Sequence, residues 1–204
     1  LPAIESGRAP FSQGLIEPAR TRARRLVDEL ESAPIDERDV LLIEPSDLGM
    51  LRREYARLLP ASTARRVATS SFDLLEYVVD REDLLDRLRA AKATGRVVYH
   101  PHCQARTLGV DAATVTALET AGFEVVSTTA ECCGMAGSFG FKSQFYELSM
   151  AVGASLAEEV DGLDGDILAA SGTSCLDQLD AVTSAEPVHP VVLLADALDS
   201  TGRA

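Results

Sequence analysis

The chain has 204 residues, 46% hydrophobic and 25% charged, with 32 acidic against 19 basic side chains and a net charge of −13. This is the composition of a water-soluble globular chain long enough to bury a core. The acidic balance excludes nucleic acid, whose phosphates need a cationic partner. No apolar run approaches the roughly 18–20 residues that span a bilayer; even Val191–Leu198 is too short. No basic segment followed by an apolar one opens the chain, so no export signal is expected. The first residue is Leu1 rather than Met, which reads as a processed product or a piece of a longer chain. Lys92 and Lys142 are the sole lysines. A lysine-poor, acid-rich surface suits a high-salt cytoplasm, where charge keeps a protein dispersed; a GC-rich genome with an ordinary acidic surface gives the same pattern.

In chain order, Ile16–Glu31 predicts a helix. Asp39–Glu44 predicts a buried strand closed by Pro45, after which Ser46 caps a helix through Leu58. Val67–Thr69 reads as a weak strand, and Phe72–Val78 and Arg81–Ala91 as helices, the latter capped by Asp80. Arg96–His100 predicts a strand ending at Pro101. Asp111–Ala121 predicts a helix that stops at Gly122, followed by a strand over Phe123–Ser127. Glu131–Phe141 is a glycine-rich loop. Helix Gln144–Val160, strand Asp166–Ala170, helix Ser174–Val182, strand Pro187–His189 and helix Val191–Leu198 complete the chain. This alternation predicts an α/β fold with parallel sheets flanked by helices on both faces.

An internal repeat runs through these elements. Gly7 and Gly134 stand 127 residues apart, as do Asp39-Val40-Leu41 and Asp166-Ile167-Leu168. Residues 44–51 match 171–179 with one residue of slack, and 68–78 match 188–198 at an offset of about 120. Residues 131–198 thus have a counterpart in 4–78, whereas 96–130 have none. Two related subdomains are expected: 1–92, a remnant cut at its N-terminus, and 93–204, a complete unit. The alignment sets Glu5 and Ser6 opposite Cys132 and Cys133, and Asp47 opposite Cys175. The metal site is therefore expected in the second unit only.

Cys103, Cys132, Cys133 and Cys175 each follow a predicted strand. In parallel sheets the C-terminal strand ends form one edge where sites gather. Four converging thiolates suit a tetrahedral zinc or an iron–sulfur cluster. Buried free cysteines and disulfides remain as readings of the residues alone. A long chain without an export signal favours a reduced compartment and metal or redox work. Gly134, Gly137 and Gly140 give the loop freedom for both adjacent cysteines to ligate.

The segments VVYHPHCQARTLG, AECCGMAGSFGF and ASGTSCLDQL resemble the cysteine-rich CCG domain. That domain occurs, often in tandem, in iron–sulfur parts of FAD-linked oxidoreductases, such as D-lactate dehydrogenase-like proteins, glycolate oxidase and anaerobic glycerol-3-phosphate dehydrogenase. SGRAPFSQGL with EPSDLGMLRREY resembles the second part of a preceding repeat. The resemblance implies an iron–sulfur cluster of 4Fe-4S type on Cys103, Cys132, Cys133 and Cys175, with Gly134 and His102 beside it and zinc as the alternative. It also implies electron transfer for a larger 2-hydroxy-acid or glycerol-3-phosphate dehydrogenase. FAD would lie only in the full-length protein or a flavoprotein partner, and quinone or a membrane-associated acceptor would receive the electrons. A cytoplasmic location, peripheral to the inner membrane face, follows. The chain itself would be a fragment or subunit of an oxidoreductase without a complete catalytic site. The fuller family pattern ends in CxxC, and its first cysteine falls here on Gly172. A histidine, His100 or His102, would replace that ligand, donate to a cluster sulfur, or serve only as a strand-end residue.

Overall fold

Val97, Val98 and Tyr99 are fully or almost fully buried and sit on one extended stretch, Arg96–His100 (β3), which forms the centre of a three-stranded parallel sheet. The computed structural model describes residues 5–32 and 39–201; residues 1–4 and 202–204, at the outer ends of the two segments expected from sequence, lie outside them. β3 pairs with β4 (Glu124–Ser127) on one side and β5 (Ile167–Ala170) on the other, with Tyr99 opposite Ser127 and His100 opposite Ala170. Val188 adds a single parallel bridge beyond β5, at Ala169. The chain leaves β3 for β4, then returns to β5 on the opposite side of β3. The C-terminal ends of β3 and β5 therefore flank a topological switch point, the crevice where such sheets bind ligands.

Both faces of this sheet are covered, because alternate strand residues serve two cores. On one side Val97, Tyr99 and Ala169 pack with Leu88 of α6 (Glu82–Ala91), with Ala117, Leu118 and Ala121 of α8 (Asp111–Ala121), and with Leu194 of α11 (Pro190–Thr201). On the other, Val98 and Leu168 pack with Leu156 and Val160 of α9 (Tyr146–Gly162) and Leu179 of α10 (Thr173–Val182). The near-continuous apolar run of β3 is what two-sided burial requires.

The chain divides into two compact units, Leu1–Asp73 and Leu74–Ala204. The first holds α1 (Arg8–Ser12), α2 (Ile16–Ser32), β1 (Val40–Leu42), α3 (Pro45–Arg52), α4 (Ala61–Thr69) and β2 (Ser71–Asp73), with β1 and β2 paired in parallel. Its core joins Ala19, Ala23, Met50, Leu51, Tyr55 and Val67. The boundary falls at 73/74, where the sequence segments divide at 92/93. The reason is packing: Leu75 of α5 (Leu74–Val79) and Leu88 and Ala91 of α6 bury themselves in the core of the second unit.

Several local expectations change. Val67–Thr69 is the end of helix α4, not a strand, because Ala64 and Val67 share a helical face toward the core. Phe72 lies in strand β2 rather than in a helix. The cap of α3 is Glu44, whose carboxylate accepts from the Ser46 N–H at 3.1 Å; Ser46 donates its hydroxyl to the same group. That helix ends at Arg52, and a 3-10 turn carries the chain through Arg57. Arg81, not Asp80, stands at the N-cap of α6, with no side-chain cap bond. The strand at Pro187–His189 shrinks to the single bridge at Val188. A short helix, α7 (Cys103–Leu108), was not anticipated.

Candidate metal centre

Cys103 opens α7 directly after β3, and Cys175 is the third residue of α10, directly after β5. Cys132 and Cys133 lie in the loop that follows β4. All four thus stand on the C-terminal edge of one sheet, as the spacing predicts. The Cys133 thiol hydrogen-bonds with both Cys132 and Cys175, so Cys133 links the other two. Strand register places Cys103 on the same edge. Cys133 and Cys175 are buried, and Cys103 and Cys132 half-buried, and all four are free thiols. Among the described residues, no three His, Cys, Asp or Glu side chains are arranged to grip a single metal ion as they stand.

The loop is held to its helices by buried polar groups. Ser149 of α9 donates to the Gly134 carbonyl at 3.0 Å, and Gln178 of α10 donates to the Ser149 carbonyl at 2.8 Å. Gly134 has φ +100, and a Cβ there would lie 2.5 Å from the Ser149 carbonyl oxygen, so both backbone angle and space demand glycine. The Gly134 N–H donates to Cys132 Sγ at 3.4 Å. Where the loop begins, the Glu159 carboxylate accepts from the Thr129 and Ala130 N–H groups. Ser149, Gln178 and Glu159 did not emerge from sequence. Their only signals there are polar residues on otherwise apolar helix faces.

The electrostatics favour protonated thiols at Cys132 and Cys133 in the metal-free state. The hydrogen bond to Cys133 and then burial hold the Cys132 thiol well above the usual range. For Cys133 the Cys132 hydrogen bond pulls downward, but the contact with Cys175 and burial outweigh it, and its pKa is pushed up to about 12. A thiol-redox nucleophile needs the opposite shift. Packed sulfurs of this kind ionise readily only when a cation replaces their protons. The donor set is therefore the right kind for a thiophilic metal group, zinc or iron–sulfur.

Three histidines surround the sheet edge. His100 is completely buried; its Nδ1 meets Thr128 Oγ1 at 2.8 Å and its Nε2 has no hydrogen-bond partner. Burial first, then the charge of Arg106 and the neighbouring His102, lowers its pKa to about 4. His102, 94% buried, is the N-cap of α7, where its Nδ1 accepts from the Gln104 N–H at 3.0 Å. His189 Nε2 lies 3.3 Å from the Ser171 carbonyl oxygen. Ser171 joins the strand ends: its hydroxyl meets Tyr99 Oη at 3.0 Å and the His102 N–H at 3.2 Å.

The thiol-free unit shows similar local features at the positions that the sequence sets opposite the cysteines. Gly7 has φ +90, close to that of Gly134, and its Cβ would lie 2.8 Å from the Ala19 carbonyl oxygen of α2. Asp47 is the third residue of α3, as Cys175 is of α10. Ser6, opposite Cys133, donates to Asp47 Oδ1 at 2.5 Å. A serine–aspartate hydrogen bond thus stands where Cys133 meets Cys175. Burial raises the Asp47 carboxyl above its usual range, against the pull of Ser6.

Fold and site together define a cysteine-rich α/β domain with its thiols at a parallel switch point. Residues 97–180 match the model of the CCG cysteine-rich domain family. A stretch of 104 residues is 35% identical to the C subunit of anaerobic glycerol-3-phosphate dehydrogenase from Escherichia coli strain K12, and equally to that from Escherichia coli O157:H7. The match covers 50% of this chain and 26% of each relative, so the chain spans about a quarter of the length of the curated relatives it matches. No helix among the described residues is long and apolar enough to cross a membrane.

Proposed function

We propose that the chain binds one iron–sulfur cluster through Cys103, Cys132, Cys133 and Cys175 and serves as the electron-relay part of a larger FAD-linked dehydrogenase. The observation that carries this reading is the contact of Cys133 with both Cys132 and Cys175 at a switch-point edge that also bears Cys103. When bound, a cluster supplies a one-electron redox couple. The four cysteines would hold it as thiolates. Ser149, Gln178 and Gly134 would keep the loop of Cys132 and Cys133 in register with Cys175, and the Gly134 N–H would stabilise negative charge on sulfur.

The similarity to a glycerol-3-phosphate dehydrogenase component supports a flavoprotein partner that oxidises glycerol 3-phosphate. A 2-hydroxy acid such as lactate or glycolate is the alternative substrate class. Electrons would leave to quinone or another membrane-associated acceptor, with the chain on the cytoplasmic side. Residues 1–92 would be the remnant of a thiol-free repeat that keeps the architecture and binds no cluster.

Anaerobic purification with metal and sulfide analysis tests the reading. About four iron and four sulfide per chain, with a brown colour, is the expected result. One zinc and no iron after anaerobic reconstitution would replace it with a zinc-bound structural or docking module.

A further inference from the structure

The three residues between strand β4 and the cysteine loop, 128–130, are gripped from two helices. Thr128, 2% exposed, gives its N–H to the Tyr99 carbonyl at 2.9 Å and sets its hydroxyl 2.8 Å from His100 Nδ1. Its carbonyl oxygen accepts from Arg106 Nη2 at 2.7 Å. The next two N–H groups, of Thr129 and Ala130, donate to the Glu159 carboxylate at 2.5 and 3.0 Å, and the Thr129 hydroxyl donates to it at 2.8 Å. Two charged side chains from different helices thus hold three consecutive residues, with hydrogen bonds of the stronger, charge-assisted kind.

The places of these two side chains in the chain matter. Arg106 lies on α7, the helix that Cys103 opens, and Cys132 follows Ala130 by two residues. Arg106 therefore ties the helix of Cys103 to the segment that leads into the Cys132 and Cys133 loop. Glu159 lies on α9, which also sends Ser149 to the Gly134 carbonyl. The two cysteines are thus tethered to α9 from both sides, through residues 129–130 and through 134. Stability alone accounts poorly for Arg106, because its Nε is buried without a hydrogen-bond partner, and a desolvated guanidinium nitrogen left unmatched is costly. At Glu159 burial works against the charge, but the Thr129 and Ala130 hydrogen bonds outweigh it and hold the carboxyl below its usual range.

We infer that Arg106 and Glu159 are positioning residues of the metal centre: they clamp residues 128–130 from α7 and from α9 and so hold Cys103 in register with Cys132 and Cys133. This role rests on the metal-centre reading and adds to it two residues that act through the backbone rather than on sulfur. Thiolates from separate segments grip a metal group tightly only when their supports hold them in place beforehand. With either clamp removed, the segment before the cysteine loop is held from one helix only.

The test measures release of iron to a chelator from anaerobically reconstituted chains, beside urea unfolding of the same chains metal-free. Arg106→Ala and Glu159→Ala should each release iron about tenfold faster than the parent, the scale on which groups outside the ligand shell act. Arg106→Lys and Glu159→Gln, which each keep part of the hydrogen bonding, should fall between. Because both side chains hold one segment, the double alanine variant should fall well short of the product of the single effects. Leu118→Ala, in the core on the other face of the sheet, should lower the urea midpoint at least as far and release iron at the parent rate. Iron release that tracks the urea midpoint across all variants, parent rates in both alanine variants, or a double effect equal to the product would overturn the role and leave the cluster reading intact. If the parent takes zinc in place of iron, zinc release is compared in the same way. A parent chain that holds neither metal would overturn the metal-centre reading, and this role with it.

Discussion

A buried neutral imidazole ties the stability of the sheet edge to pH. His100 is completely buried and its pKa is lowered to about 4, against an ordinary value of 6.5. Between those values the unfolded chain binds a proton that the folded chain refuses. Stability is thus fully present above pH 6.5 and is lost as pH falls toward 4. The shift corresponds to about 3 kcal/mol at most. Urea midpoints between pH 4 and 7.5 should rise with pH in the parent chain and less steeply in His100→Gln; parallel slopes would contradict this. At this scale the sequence discloses the sulfur atoms but not their supports. Four cysteines after predicted strands are visible in one dimension. That the His102 ring fills the place of a side chain at Gly172 is a distance between residues 70 apart, which no local pattern encodes.

At the level of elements, the loop from Glu131 to Phe141 depends on its seating against α9. A methyl group at Gly134 would meet both a positive φ and the Ser149 carbonyl, whereas Gly137, at φ +70, has open space around it. Gly134→Ala should therefore cost more than about 2 kcal/mol and release bound metal, and Gly137→Ala only about 1 kcal/mol with metal retained. Urea unfolding and iron analysis of both variants check this; equal costs would contradict it. Strand β3 was legible because five residues, Arg96–His100, end at a proline and carry an apolar run. Helix α4 was not, because Val67 and Thr69 favour strands locally. Their helical state follows from the burial of Ala64 and Val67 in the core of Met50, Leu51 and Tyr55. Tertiary burial there overrides local propensity.

The molecule as a whole holds one unit without thiols and one unit with four. The matched glycines and strand starts were legible in the sequence. The compact-unit boundary was not, since it depends on where α5 and α6 bury their apolar residues. The core of the second unit centres on Leu118, fully buried between sheet and helices. Leu118→Ala should cost about 2–5 kcal/mol, typical of a buried leucine, and a loss below about 1 kcal/mol in thermal or urea unfolding would contradict the packing described. The thiol-free unit supplies an internal control for the metal site, because Asp47 occupies the position of Cys175 in the same helical turn. The most direct measurement is iron and acid-labile sulfide per chain in anaerobically prepared parent, Cys103→Ser, Cys132→Ser, Cys133→Ser, Cys175→Ser and Asp47→Ala proteins. The account predicts about four iron and four sulfide in the parent and in Asp47→Ala, with iron falling sharply in each cysteine variant. Iron retained after Cys175→Ser, or lost equally in Asp47→Ala, would contradict a single cluster held by these four cysteines.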